Sequence, residues 1–521
     1  MNNKQSGSFY TPYELIKYMI TKINKNFSMS ILEPSFGDGR FMDELLHNNY
    51  KNITGIELFP EKIQDYKNRK NNVKLIHSDF IKFALKNNKK YDLIIGNPPY
   101  IAKKQLKQSE RDTNSEILRY FNLSDNIFQN IWVSFVLGSL KLLKQNGIIY
   151  FVLPFEFLQV QYAERLRNYL ESQFNYIEIT TFEEKVFKEI EQDICLVYLT
   201  NKPKIRPSIT YKTYDNINNM KLISSSKISR HKPLKKWSNS IINDKETSFL
   251  KELSKNYLKI SELGEISPGI VTGANDYFIL NKSIASKLLN TNSCLPIISK
   301  GALMPNLLIF KKEDLNELEN TDKPTQLINL CNIKENDFSK ELKLYLSNDI
   351  DKYNMKIRDR YKCRIRNRWF DVPIINNGDL MFFKRYNIYP KLVQNGANVY
   401  TTDIAYNIRL KEIYDAKSVA FCFYNSLTLA LCEYNGRFYG GGVNELVPSE
   451  FKSLYIPYKK IKSKDIEHVD KMFRSGIDIE SIINYVDKIV FENIDMKQID
   501  ILREIRKKYY KRRLKNNNEI S

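Results

Sequence analysis

Between residue 29 and about residue 200, short apolar runs alternate with longer stretches whose apolar residues recur at helical spacing. The runs at 30–32, 52–56, 73–76 and 91–95 predict four strands. An apolar helix is expected at about 127–143, a fifth strand at 147–153 and a helix at 160–172. Two further strands are expected at 176–181 and 194–199. Strands alternating with helices predict an α/β fold, a mostly parallel sheet with helices on both faces. Ligands of such sheets sit beyond the carboxyl ends of the strands, where strand order reverses.

Two prolines and three basic residues between Lys202 and Pro207 break this pattern. Residues 1–205 therefore read as one domain and the polar stretch 206–255 as a linker. Residues 256–458 carry short strands and many turn residues, which suits a mixed α+β domain. Residues 459–521 turn helical and basic, with a dense run of cations from Arg503 to Arg513. No internal repeat is present.

Composition narrows the partners. The chain has 521 residues, enough for two or three domains, and a formal net charge of +21. Such an excess makes a polyanion the first partner to consider. A chain rich in Lys, Asn and Ile acquires the same excess from AT-rich coding, so charge alone does not establish nucleic-acid binding. Six scattered cysteines without a CxxC pair, and only four histidines, argue against a structural zinc site and for reduced thiols in the cytoplasm. The first residues, Met1 to Gln5, lack the apolar core of a signal peptide, and no apolar run of roughly 18 residues is present, so no membrane span is expected.

The chemistry begins at the fourth strand, which runs into Asn97-Pro98-Pro99-Tyr100. The Asn97 side chain and the Pro98 main chain each offer a carbonyl acceptor. Pro98 and Pro99 fix φ and remove two competing donors. Tyr100 supplies a ring that can lie flat against another. Two acceptors on one amino group draw its nitrogen toward tetrahedral geometry and free its lone pair. The motif points to group transfer onto the amino nitrogen of a planar substrate.

A second site lies upstream. The first strand leads into Glu33-Pro34-Ser35-Phe36-Gly37-Asp38-Gly39, a turn of the Rossmann type. It lacks a phosphate-loop GxxxxGK[ST], and its carboxylates would repel phosphate while suiting an ammonium and a sulfonium. S-adenosylmethionine carries both. Glu57 at the second strand end suits a ribose diol. Asp79-Phe80 at the third suits an adenine ring and its amino group. Each acid alone could be a solvated strand end; three at successive strand ends beside a glycine turn make a pocket. Thr11-Pro12-Tyr13-Glu14 reads as a capping box that starts a helix. The free amides of that helix end could also hold a carboxylate.

The ordered set Thr11-Pro12, Glu33 to Gly39, Glu57, Asp79-Phe80 and Asn97-Pro98-Pro99-Tyr100 resembles the gamma class of adenine-N6 DNA methyltransferases, the TaqI-like group. The likeness spans Gly7-Ser8-Phe9 to about residue 200 and implies a Rossmann-like class I methyltransferase domain that uses S-adenosylmethionine. Its cofactor set on this chain is Tyr10, Thr11, Glu33, Ser35, Gly37, Gly39, Glu57, Leu58, Asp79, Phe80, Asn97 and Pro99. Its catalytic set is Asn97, Pro98, Tyr100 and Phe187. Phe187, within Glu184-Lys185-Val186-Phe187-Lys188, resembles the phenylalanine that stacks on the target base opposite the tyrosine. Ser267 to Asp276 resembles the start of the family's target-recognition domain, and Gly440-Gly441-Gly442-Val443 with Leu446 to Glu450 resembles its end.

The implied activity is methyl transfer to N6 of an adenine flipped out of double-stranded DNA, by a monomer partnered with a separate restriction endonuclease. Residues 102–116 read as a mobile loop with Lys103, Lys104 and Lys107 near phosphates. Arg364, Arg366 and Arg368 around Trp369 are further candidates for DNA contact. The 503–513 run could touch the DNA backbone or only form a charged helix. The motif pattern starts near Met1, and the segment after 460 is short and helical, so no fused nuclease is expected. Two other readings compete: an NPPY-type methyltransferase of ribosomal RNA or release-factor glutamine, and a non-catalytic DNA-specificity subunit.

Overall fold

The computed structural model describes residues 10–514, except 24, 70–72, 188–192, 231–233, 235, 238–240, 289–292, 352–353, 439–441 and 493. The chain divides into two compact units. One is built on the residues up to 243, the other on 244–437 and 443–513.

The first unit is organised by a nine-stranded sheet: β1 (Ile31–Glu33), β2 (Ile53–Glu57), β3 (Lys74–His77), β4 (Tyr91–Gly96), β5 (Leu143–Pro154), β6 (Tyr176–Phe182), β7 (Ile194–Thr200), β8 (Ser208–Tyr214) and β9 (Leu222–Ser229). Their spatial order is β3-β2-β1-β4-β5-β7-β6-β8-β9. The first five strands in that order run parallel, and β7 is antiparallel to both its neighbours. Sequence order reverses where β1 meets β4, in the register Ile31 to Leu93 and Leu32 to Ile94. Both strands therefore deliver their following loops, Glu33 onward and Asn97 onward, to one crevice.

Period-two alternation splits the strands between two apolar layers. From β5, Ile149, Phe151 and Leu153 enter one cluster, while Ile148, Tyr150 and Val152 enter the other. The first layer is closed by α4 (Phe80–Lys86), α5 (Gln108–Tyr120), α6 (Trp132–Leu142) and α7 (Glu164–Gln173). The second is closed by α1 (Tyr13–Thr21), α2 (Arg40–His47) and α3 (Pro60–Arg69). The α/β architecture expected from the alternation is the one observed.

Local differences have local causes. The expected capping box at Thr11 is not formed: α1 starts at Tyr13 with Pro12 as a cap that makes no side-chain bond. The Thr11 carbonyl instead accepts from Arg40 Nη1 at 3.3 Å. The helix expected from 127 begins at Trp132. Before it, Ile131 N donates to Ile101 O, and Gln129 O accepts from Lys103 N, both at 2.9 Å. Those pairings extend the chain where its apolar pattern alone favoured helix. The expected mobile loop at 102–116 is instead largely α5, whose entry is fixed by Lys107 N donating to Glu110 Oε2 at 2.7 Å. Residues 208–229, within the expected linker, form β8 and β9. β9 is nearly all exposed and its apolar residues do not alternate, so its pairing with β8 makes a strand that periodicity cannot signal.

The second unit holds a five-stranded sheet, in the spatial order Gly264–Pro268, Ala405–Leu410, Leu380–Phe383, Lys391–Asn395 and Ile309–Phe310. A four-stranded sheet is formed by Ile279–Asn281, Pro324–Ile328, Cys294–Ile298 and Tyr400–Thr401. The expected helical end is present as Ser463–Arg474, Ile479–Val490 and Met496–Leu514. No helix among the described residues is long and apolar enough to cross a membrane, and no cluster of potential metal ligands occurs among them.

Candidate active site

A cavity of about 440 Å³ opens at the β1–β4 switch point of the first unit. The tips of all four leading strands reach it. Glu33 enters from β1 and Glu57 from β2. Asp79 enters just beyond β3, and Asn97, Pro98, Pro99 and Tyr100 beyond β4. Tyr10, Thr11, Ser35, Gly37, Leu58 and Phe80, the other members of the expected cofactor set on its wall, also line it.

Backbone geometry explains the glycine turn. Gly37 and Gly39 have φ of 59° and 88°, the left-handed region that a side chain disfavours. A Cβ on Gly39 would lie 2.2 Å from the Tyr66 ring. Gly39 thus shapes the turn and does not itself line the cavity. Glu57 ties the turn to β2: its carboxylate accepts from Gly37 N at 2.9 Å, Leu58 N at 2.9 Å and Phe59 N at 3.1 Å. A carboxylate held by three amides is fixed in place and keeps one lone-pair site, on Oε2, for a further donor. Ser35 Oγ donates to Asn97 O at 3.3 Å, joining the glycine turn to the NPPY segment.

The electrostatics are uneven. Asp38 is neutralised by Arg40, Nε to Oδ2 at 2.7 Å. Asp79 Oδ1 caps α4, accepting from Ile81 N at 2.8 Å and Lys82 N at 3.1 Å, which leaves Oδ2. Glu33 has less relief: a main-chain hydrogen bond from Met42 reaches its carboxyl group, but it is 1 % exposed and its Oε2 has no hydrogen-bond partner among the described residues. Burial, and then the charges of Asp38, Glu57 and Asp43, push its pKa well above the ordinary 4.5. A positive charge placed beside such an acid would favour its ionisation. Tyr100 is held by its hydroxyl, which donates to Val152 O at 3.0 Å, and burial raises its pKa so that it stays a neutral ring.

Other candidates lie elsewhere. Phe187 is buried in the apolar layer with Phe182 and Val186, a layer that Tyr100 also packs against, and does not line the cavity. Lys107 lines it; Lys104 is exposed, and Lys103 lies 5.1 Å from the Phe128 ring centroid. In the second unit, Arg366 donates to Val271 O at 3.2 Å and Thr272 O at 2.7 Å. Arg368 grips both oxygens of Asp371 and the carbonyls of Leu330 and Ile333, each at 2.8 or 2.9 Å. These two arginines hold loops together, and Arg364 is exposed. Three arginines of the basic run at 503–513 are likewise spent on the fold, while Lys507, Lys508 and Lys511 are exposed. Arg503 pairs with Asp487 at 2.8 Å, Arg506 with Glu480, and Arg513 with Glu433 at 2.7 Å. Gly7 to Phe9, Lys188, Gly440 and Gly441 lie outside the described residues.

Residues 15–187 match the Eco57I restriction-modification methylase model, and residues 234–491 match that of the C-terminal domain of the type II methyltransferase M.Eco57I. The chain is 25 % identical to the type II methyltransferase M.AccI of Acinetobacter calcoaceticus, over 95 % of each chain. The chain belongs to the type II modification methylases. This methylase is also 30 % identical to M.HindII of Haemophilus influenzae, over 55 % of its own length and 58 % of that relative. Its fold resembles that of MmeI, a type IIL restriction-modification enzyme solved in complex with DNA. The TM-score is 0.57 at 12 % identity, covering 95 % of the methylase and 76 % of MmeI.

The methylase cavity has walls that sequence reasoning did not name, notably Asn114 on α5 and Ile131 and Phe135 beside and on α6. Helix α6 is buried on nearly all faces, so a cavity-facing aromatic there reads as one more core residue. Asn114 lay in a segment without visible periodicity.

Proposed function

We propose that this methylase transfers the methyl group of S-adenosylmethionine to N6 of an adenine turned out of double-stranded DNA, as the modification half of a restriction-modification pair. One observation carries the reading: the NPPY segment and the acidic tips of β1, β2 and β3 line the same cavity. The walls fit the cofactor, because a buried carboxylate oxygen without a partner among the described residues suits an ammonium, and a fixed carboxylate and an aromatic ring lie at the neighbouring strand ends.

Glu33 would hold the ammonium, Glu57 the ribose diol, and Asp79 and Phe80 the adenine. Once bound, the cofactor supplies a methyl group on a positively charged sulfur, an activated leaving group. Asn97 and Pro98 accept hydrogen bonds from the target amino group and bring its lone pair to bear. Catalysis is then positioning and polarisation, with no covalent enzyme intermediate. Extruding the base costs a few kcal/mol. Stacking on the fixed Tyr100 ring returns about 1–3 kcal/mol of that. Phe187 takes the other face only by leaving its apolar layer when the base enters. The double strand, the monomeric state on DNA, the cytoplasmic setting and a separate endonuclease belong to this same proposal.

Expression of the chain in cells free of other adenine methylation, followed by single-molecule sequencing, tests it. N6-methyladenine at one sequence context is expected, and no mark, or a mark on cytosine, refutes the reading. Asn97→Ala should lower transfer at least a hundredfold while S-adenosylhomocysteine still binds. Full activity in that variant would remove Asn97 from the mechanism.

A further inference from the structure

Helix α5 covers one side of the cavity and carries a polar side chain that has no internal use for half of its amide. Asn114 is 1 % exposed and lines the cavity. Its Nδ2 donates to Glu110 O at 2.7 Å, one turn back. That bond fixes the orientation of the amide, since a flipped group would set oxygen against oxygen. Oδ1 is left buried with no hydrogen-bond partner among the described residues. A buried acceptor without a donor costs stability, and asparagine is a poor residue for a helix interior. The position is therefore costly until a donor arrives.

The surroundings identify that donor. Phe80 and Phe135 form an aromatic corner, centroids 4.9 Å apart, and both line the cavity. Helix α5 packs against both α4, which begins at Phe80, and α6, which carries Phe135. Asp79, at the N-terminus of α4, has Oδ1 spent on the helix cap, and Oδ2 has no hydrogen bond among the described residues. A flat apolar slot with two acceptors fits a planar base bearing an amino group, which has two N–H donors. We propose that Asn114 Oδ1 accepts one N–H of the cofactor's adenine amino group while Asp79 Oδ2 accepts the other, so that the pair together selects the cofactor's base. The inference rests on the cofactor reading above and extends it to a residue outside the motif set.

The test uses the full-length protein and two probes, S-adenosylhomocysteine and its N6-methyl analogue, which keeps a single N–H. With two acceptors in use, the wild type should bind the methylated probe about tenfold more weakly. Asn114→Leu should bind the unmodified probe about tenfold more weakly and discriminate between the two by less than twofold, closing a double-mutant cycle. Unchanged discrimination in Asn114→Leu overturns the assignment. Equal binding of both probes by the wild type overturns it as well, and that comparison decides the matter if the variant does not fold. No binding of S-adenosylhomocysteine by the wild type would overturn the assignment together with the cofactor reading.

Discussion

Glu33 shows at the residue scale how the proposed cofactor site opposes the stability of the fold that carries it. Its carboxyl group is buried and faces Asp38, Glu57 and Asp43, so it holds its proton to a higher pH in the folded chain than in the unfolded one. The folded state then binds more protons than the unfolded state above pH 4.5, and the ligand-free protein loses stability as pH rises through that window. Glu33→Gln should remove this loss. Melting scans should show a ligand-free variant more stable than the wild type, by a margin that widens as pH rises from about 4.5 and vanishes below it. The same variant should bind S-adenosylmethionine at least tenfold more weakly, because an amide cannot neutralise an ammonium. A variant less stable than the wild type at neutral pH would show that Glu33 is an ordinary buried hydrogen-bonding group.

At the scale of elements, charge on a segment proves a poor guide to its partner. Arg364, Arg366 and Arg368 lie within five residues and look alike in sequence. Arg364 ends a short helix in solvent, whereas Arg366 and Arg368 each bridge loops through main-chain carbonyls. Arg368→Ala would leave Asp371 and two carbonyls without their donor, and because the pair is partly exposed the cost is about 1–2 kcal/mol. Urea unfolding should register that loss, while Arg364→Ala should leave the midpoint within about 0.5 kcal/mol of the wild type. Equal midpoints for both variants would show that the Arg368 bonds are replaced by water at no cost. The same lesson covers Met496–Leu514, which presents six cations in its final residues and buries Arg506 and Arg513 against acids.

At the scale of the whole molecule, 81 basic residues outnumber 60 acidic ones, so an excess remains after the internal pairs are counted. Association with a DNA duplex should release condensed counterions, and its strength should fall as a straight line in log–log plots against salt. With six to ten phosphate contacts, raising salt from 50 to 200 mM should weaken binding about 10³–10⁵-fold. Filter binding or fluorescence anisotropy across that range measures it. An affinity indifferent to salt would remove the polyanion from the proposal.

Spacing along the chain carried the run of strands from β1 to β7 and the chemistry of the first four strand ends. Period-two alternation fixes which residues of β4 and β5 face each apolar layer, and a polar motif at a parallel strand's carboxyl end has nowhere to go but the crevice. Glu33, Glu57, Asp79 and Asn97 were legible for that reason. Only the tertiary structure decided what depended on distant neighbours. It gave the exposed residues of β9 an edge to pair with, drew 101–103 against 129–131 ahead of α6, and packed Phe187 among apolar neighbours where it does not itself line the cavity. It also turned Phe135 and Asn114 toward the cavity and spent Arg366, Arg368 and Arg513 on internal bonds. Local patterning records how a residue is spaced from others on its own element, whereas burial, pairing and a free acceptor depend on which other elements arrive beside it.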